Sequence, residues 1–576
     1  MLTHWKSHWT RSPRPLAAGL AASVALTALI ASTPAAALDR PIVGNNGMIV
    51  AGHPRAVEAG LKVLRSGGTA CDASIAVATS LSVLMTDMMG PLGSGYALLW
   101  NASKKELTAI DYNGVAPLAA DPKKFDMDKK RRGIMAMTVP GNLKGWEAVH
   151  KKCGKKKWSD LWSDAIYLAD NGRPLDTDSA FHIRRHITEL GIYETWAKEF
   201  LADGKALPAG AIHVRKELAE TYRKFAQSGS KALYDGPVGD QVADFMAKNG
   251  GLITKEDLAK YKVKWVKPIS MTYQGYTVYG VPPSSSSITW MEILKVMEGY
   301  DLKTMGHNSA EYLRTFAEAT KHAYLDAYKH VADPAFVKVP VDRLLSEARA
   351  AEIRAEIAKG RFDMKPIKLT MAPTPENHST SHMVIVDRWG NAVSMTNTLG
   401  NFFGSGVVVA GTGMLGSNGM DWFDLEVNIW TGERPGNLVM APGKRNRWTL
   451  SPGMMFKDDK LAVLVGGAGA ESTMFAIAQP IINVLTFGMN VQEALNAPRF
   501  LWGDTYHYTG GTQLHLERGI TDEVRAKMKE LGYEVPEIGK HSNLARGTTN
   551  MILIDPQSGA YWGGAAPLGR DSLAGY

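Results

Sequence analysis

The chain has 576 residues, 45% hydrophobic and 21% charged, with a formal net charge of +8 and an isoelectric point near 9.1. That composition belongs to a globular protein and excludes a disordered one, and the length alone would allow three or four ordinary domains. Much of the positive excess is local, in KKRR at 129–132 and in KKCGKKK from Lys151 to Lys157. Without interleaved aromatic residues or a reader motif these runs point to no nucleic-acid site, and they read as solvated surface, membrane-facing or not.

Along the chain, Lys6, Arg11 and Arg14 precede the apolar run Leu16–Ile30, which gives way to small residues with Ala35 and Ala37 in an A-x-A arrangement. This is the layout of a signal peptide over residues 1–37, cut after Ala37, and it predicts an exported protein, periplasmic or secreted. The run falls short of the roughly 20 residues that a membrane anchor needs, and no later segment reads as a membrane span.

GMIVAG then reads as a strand, AVEAGLKVLRSGG as a helix closed by glycines, and CDASIAVATSLSVLM as a strongly apolar helix. An oxidising compartment permits a bridge between Cys71 and Cys153. Cys71 nevertheless falls in the apolar helix and Cys153 in a basic loop, so a free, buried Cys71 is the expectation. YALLWNASKKELTAIDY predicts a hairpin, helices dominate from Trp146 to Asn249, and SAEYLRTFAEATKHAYLDAYKH is a long amphipathic helix. IKLTMAPTPENHST reads as an exposed linker, near residues 365–379, joining two halves of the chain.

The linker abuts MVIVDRWGNAVSMTNT, the clearest hairpin in the sequence. Its DRWG turn would set Val386 opposite Asn391 and bring Thr380 roughly opposite Asn397, with Thr396 and Thr398 as diagonal neighbours. A helical segment, MFAIAQPIINVLTFG, and further strands follow.

Several motifs resemble active-site signatures without their partners. Ser228-Gly229-Ser230-Lys231 has the S-x-x-K spacing but lies in a loop-like stretch with no SDN or KTG elsewhere. His182 and His186 have i, i+4 spacing, but Ile183 stands where a metalloprotease needs Glu, so a surface helix is expected rather than a metal site. GGAGAES at 466–472 lacks the Lys-Ser/Thr ending of a phosphate loop. The hydroxyls at 379–381 offer different chemistry. A threonine can act as a nucleophile without a histidine if its own α-amine, with a pKa of about 7.7–8.0, takes the proton. The chain must then be cut just before it, which an N-to-O acyl shift onto the hydroxyl can achieve.

This segment resembles the nucleophile region of the γ-glutamyltransferase family of N-terminal-nucleophile hydrolases, the glutathione hydrolases. The likeness rests on Thr380-Ser381-His382, Gly390-Asn391-Ala392-Val393, Thr396-Asn397-Thr398-Leu399 and Phe403-Gly404-Ser405-Gly406. It extends through SGGTACDASIAVA, TVPGNLKGWEAVHKKCG, GGLITKEDLAKYKVKW, YGVPPSSSSITWMEILKVMEGYDL, NVQEALNAPRF and the closing AGY. The resemblance implies an α+β fold, a four-layer αββα sandwich built jointly by a large chain (38–379) and a small chain (380–576). It implies autocleavage between Ser379 and Thr380, Thr380 as nucleophile, Thr398 as its hydroxyl neighbour, and the amides of Gly469 and Ala470 as an oxyanion hole. Alanine replaces the family's second glycine there but keeps the N–H. The implied partner is a small-molecule amide, and no metal or organic cofactor is implied.

The family pattern breaks where it holds the glutamyl head. Asn113 stands at the position of an Arg, Gly400 at that of an Asn, Gly419 and Trp422 where an amide and an acid are expected, and Trp448 and Thr449 where a serine pair is usual. Loss of the Arg removes a charge-assisted, often bidentate contact. The expected substrate is therefore an amide of an acyl group other than plain γ-glutamyl, bulkier or aromatic, with Arg445 or Arg447 as a replacement anchor. A glutathione hydrolase with an unusual pocket, a cephalosporin-acylase-like amidase and a non-catalytic binding relative remain the alternatives.

Overall fold

The computed structural model describes residues 40–362, 379–427, 432–434, 436–503, 513–536, 547–567 and 570–576. The expected signal peptide (1–37) and residues 363–378 of the expected linker lie outside the described residues. Strands of the two large sheets are numbered here in chain order: β1 (Ile42–Gly44), β2 (Gly47–Ala51), β3 (Ser94–Asn101), β4 (Glu106–Asp111), β5 (Lys264–Val266), β6 (Ile269–Tyr273), β7 (Tyr276–Gly280), β8 (Ser379–Asp387), β9 (Ala392–Gly400), β10 (Gly453–Lys457), β11 (Lys460–Ala468), β12 (Thr548–Ile554), β13 (Tyr561–Ala565) and β14 (Ser572–Gly575).

Alternation along β8 sets the layers. Successive side chains of a strand point to opposite faces. Met383 and Ile385 join Ile49, Leu99 and Met395 in a core shared with the helices Pro54–Arg65 and Ala70–Leu84. Val384 and Val386 face the other way, into a core with Met454, Leu464 and Ile552 of the second sheet. That second sheet covers its own outer face with the helices Ser287–Met297, Ala310–His330 and Thr473–Leu485, packed on Val278, Met455, Val463 and Met551. The result is the four-layer αββα sandwich. The first sheet runs β14-β2-β8-β9-β3-β4-β5 and the second β1-β13-β12-β11-β10-β7-β6, antiparallel throughout. Both sheets thus mix strands from before and after residue 379.

The hairpin register differs from the sequence expectation by one residue. Val386 pairs with Ala392 and Ser381 with Asn397, while an irregularity between Ser379 and Ser381 leaves Thr380 outside the ladder. The turn is one residue longer than expected: Asp387 bonds Asn391 across it, leaving three residues between them, and Gly390 takes a left-handed φ of +77°.

Two further expectations are corrected. Cys71 is not free: it is bridged to Cys153, with Cα atoms 5.8 Å apart. Cys153 ends the helix Asn142–Cys153 rather than lying in a loop, and its carbonyl accepts from the Thr69 hydroxyl at the start of the Cys71 helix. The KKRR run is not wholly solvated surface. Lys130 is buried and donates to the carbonyls of Asp421 and Phe423, and Arg132 is buried between Glu189 and the carbonyls of Phe402 and Gly404. Carbonyls and one carboxylate satisfy these cations, which a count of charges along the sequence could not reveal.

Candidate active site

The start of β8 and the end of β9 bring hydroxyls onto one peptide bond. The Thr398 hydroxyl donates to the Ser379 carbonyl at 2.5 Å and accepts from the Gly400 amide at 2.9 Å. The Thr380 hydroxyl lies 2.6 Å from the same carbonyl oxygen and 3.1 Å from the Thr398 hydroxyl. Ser379 is held in turn, its hydroxyl donating to the carbonyls of Asn401 and Gly400 at 2.8 and 3.2 Å. The bulge that removes Thr380 from the ladder turns its side chain toward this group. Two hydroxyls thus converge on the oxygen of one carbonyl, whose own residue is held from the other side.

The second sheet delivers Gly469 and Ala470 to the same end. Ser394, level with Val384, donates to the Val465 carbonyl, and the His382 ring lies against Gly466, where an added Cβ would fall 2.2 Å from it. Moving along β8 toward Thr380 therefore means moving along β11 toward its exit at Ala468. There Gly469 has φ +138° and Ala470 +50°, a left-handed conformation that costs a non-glycine residue about 1–2 kcal/mol. The Ser472 amide and hydroxyl both donate to the Gly469 carbonyl and hold the turn.

His382, buried two residues after Thr380, carries no positive charge. Burial alone lowers its pKa from 6.5 to about 3, and Nδ1 lies 2.8 Å from the Thr396 hydroxyl. The unfolded chain takes up this proton as pH falls below 6.5, while the folded chain resists it down to about 3. The stability linked to this group is thus complete above that window and lost as pH falls through it. His382→Gln is expected to flatten the acid limb of stability by about 1.4 kcal/mol per pH unit, read as urea midpoints across the window. An unchanged slope would exclude His382 as its source.

The residues that depart from the family pattern form one connected structure. Asn113 is fully buried; its amide donates to Tyr96, Ser284 and the Asn446 carbonyl, and its oxygen accepts from the Trp448 indole at 2.7 Å. Trp448 lies in the core between the sheets, 4.8 Å from the half-buried Trp422 ring. At Gly400 an added Cβ would fall 2.0 Å from the Asn418 side chain and 3.2 Å from the Trp448 ring. At Gly419 it would fall 2.6 Å from the Thr138 hydroxyl. Thr449 is buried and its carbonyl accepts from Ser451. The space for larger polar side chains at these positions is filled.

Of the two arginines, Arg445 is committed to structure, with Asp111 at 3.1 Å and the Lys262 carbonyl at 2.9 Å. Arg447 is buried over the Tyr328 ring and donates through Nη2 to Glu471, the residue after Ala470, at 2.7 Å. Among the described residues its Nε and Nη1 reach no carboxylate or carbonyl, and the Tyr328 side chain is the other group it faces. Burial opposes its charge, but Glu471, Tyr328 and Asp424 together outweigh that and raise its pKa above the usual arginine value.

Sequence reasoning missed Asn418, which accepts from the Asn401 amide, and Asn550, which bonds the His382 carbonyl and Asp571. Burial lifts Asp571 to about 6. Ser284 lay in a visible serine run, but no feature of that run linked it to Asn113. His182 and His186 do not form a solvated surface pair. His186 is buried, and His182 faces Asp87 at 2.7 Å beside Arg570.

A threonine at the head of a central strand in an αββα sandwich, its preceding carbonyl held for attack, defines an N-terminal-nucleophile hydrolase or acyltransferase. The chain belongs to the gamma-glutamyltranspeptidase family, whose model matches residues 56–576. It is 33% identical over 553 residues to the glutathione hydrolase proenzyme of Escherichia coli (strain K12), covering 93% of each chain. It is 34% identical over 534 residues to the acylase ACY 1 proenzyme of Pseudomonas sp. (strain SE83), covering 90% of this chain and 91% of that one. The crystal structure of cephalosporin acylase from Bacillus halodurans matches with a TM-score of 0.84 at 29% identity, over 95% of this chain and 98% of that one.

Proposed function

We propose that the protein is exported, cuts itself between Ser379 and Thr380, and then hydrolyses or transfers the acyl group of a small amide that is not a plain γ-glutamyl amide. In self-cleavage the Thr380 oxygen attacks the Ser379 carbonyl carbon while Thr398 donates to its oxygen. The C–N bond breaks as the hydroxyl proton passes to its nitrogen, leaving an ester on Thr380 and a free amine. Water then releases Ser379 as a carboxylate. In turnover that amine takes the hydroxyl proton as the oxygen attacks the substrate, and the proton passes to the departing amine. The Gly469 and Ala470 amides hold the oxyanion, each contributing about 2.7–4 kcal/mol by analogy with other oxyanion donors. Water or an amine then takes the acyl group from Thr380. The proenzyme relatives support the processing step.

The observation that carries the substrate reading is the Asn113–Trp448 pair. An Arg at position 113 would have to displace an indole that already fills the amide's acceptor. Of the two cations Arg447 is anchored on Glu471, the residue after Ala470, and so beside the proposed oxyanion turn, whereas Arg445 is anchored on Asp111. The test is kcat/KM on p-nitroanilides of γ-glutamate, glutarate, pentanoate and phenylacetate with processed protein. At least one non-glutamyl acyl group is expected to exceed γ-glutamyl by about tenfold, the order of one lost charge-assisted contact. A γ-glutamyl amide as the best substrate would favour the glutathione hydrolase reading instead. Arg447→Gln is expected to lower the ratio of glutaryl to pentanoyl turnover about tenfold, chiefly through KM, because it removes a charged donor. An unchanged ratio would remove Arg447 from the site.

A further inference from the structure

The turn of the nucleophile hairpin, far from Thr380, borders a second concavity. Its volume is about 430 Å3, within the range of small-molecule sites. It lies among the β3–β4 hairpin, the Trp389 turn, the start of the helix Ala70–Leu84 and the end of the helix Asn142–Cys153. By strand rise it is about 25 Å from the nucleophile.

Its frame is rigid and assembled from segments distant in sequence. The Cys71–Cys153 bridge forms part of the wall. The buried Asp72 carboxylate accepts the Lys155 and Lys156 amides at 3.0 and 3.1 Å, and Asp387 accepts the Ala70 amide at 3.0 Å. These two carboxylates accept hydrogen bonds from backbone amides and, for Asp387, the Asn391 side chain, and among the described residues neither forms an ion pair with a lysine of the mouth. Three lysines line it. Lys152 is paired with Glu106 at 3.1 Å, but among the described residues neither Lys104 nor Lys155 has a carboxylate partner. Lys155 instead sits 4.1 Å from the centroid of the Trp389 ring, which is 44% exposed.

We propose that this cleft is a second binding site, for a small molecule with a flat ring and a carboxylate or phosphate group. Trp389 supplies the stacking face, Lys104 and Lys155 the counter-charge, and Asn101 and Thr108 lie on the wall for polar contacts. A strong exposed aromatic beside unpaired ammonium groups selects such a ligand over a neutral or cationic one. The site is separate from the acyl-transfer centre, so its occupant is a ligand and not a substrate.

The experiment is isothermal titration of the processed two-chain protein with 2-naphthoate, 2-naphthylmethanol and inorganic phosphate. The double variant Lys104→Gln/Lys155→Gln and the single variant Trp389→Ala are titrated in parallel. Naphthoate is expected to bind with a submillimolar Kd, at least tenfold tighter than the alcohol. Both variants should lose at least tenfold while amide hydrolysis stays unchanged. Phosphate binding lost in the lysine variant but kept in Trp389→Ala would identify the anion as the main determinant within the same site. Absence of naphthoate and phosphate binding, or binding that survives in both variants, would overturn the proposal.

Discussion

Thr380→Ala is expected to yield a single uncut chain that hydrolyses no amide. Two consequences follow from one oxygen. The Thr380 hydroxyl lies 2.6 Å from the Ser379 carbonyl oxygen, and Thr398 does not replace it as attacker, since it accepts from the Gly400 amide and donates to that carbonyl. Without it the ester cannot form, so neither the new N-terminus nor the acyl-enzyme can arise. Removing a nucleophile from a unit of this kind costs at least about 10^4-fold in turnover. Denaturing mass spectrometry and amide turnover on one preparation check both parts. Two fragments with the smaller beginning at residue 380 would sink the assignment. Thr398→Val makes a sharper companion. It keeps the attacker but removes the 2.5 Å donor to Ser379, so cleavage should slow rather than vanish.

The second large effect is expected at the disulfide. Cys71 and Cys153 are 82 residues apart, and a bridge closing a loop of that length restricts the unfolded chain by about 4.5 kcal/mol on the chain-entropy argument. Cys71→Ser/Cys153→Ser, made in the uncut Thr380→Ala chain so that unfolding involves one polypeptide, should lower the urea stability by about that amount. Reduction of the bridged protein should give the same shift. A midpoint unchanged by either treatment would show that neighbouring contacts, not the bridge, hold these helix ends together.

The layers were expected from the family resemblance, and the unbroken apolar run MVIV, which gives its strand two apolar faces, agrees with them. Thr380 and Thr398 were legible for a related reason: a hairpin fixes its own neighbours. The register was off by one because the turn depends on Asp387 bonding across to Asn391 and on a left-handed Gly390, which the DRWG letters do not dictate. Long-range pairings stayed hidden. The departures at Asn113 and Trp448 looked like two separate losses, yet 335 residues apart they form one hydrogen bond. The same holds for Cys71 with Cys153, and for Lys130 and Arg132, whose partners are carbonyls in a different part of the chain.

The interleaving of strands has a consequence for the life of the molecule. In the first sheet β2, from before residue 379, lies between β14 and β8, both from after it, while β9 borders β3. In the second, β1 and the β7–β6 pair flank strands from the later segment. The uncut chain can find this arrangement by a unimolecular search. Once cut, the two polypeptides would have to meet and thread into each other's sheets, so refolding becomes second order and slower on dilution. The native pair would then persist only as long as its unfolding barrier holds, whatever the balance between folded and separated chains. Cleavage at Thr380 would convert an equilibrium fold into a kinetically trapped one, with the instructions for reaching it held only in the precursor.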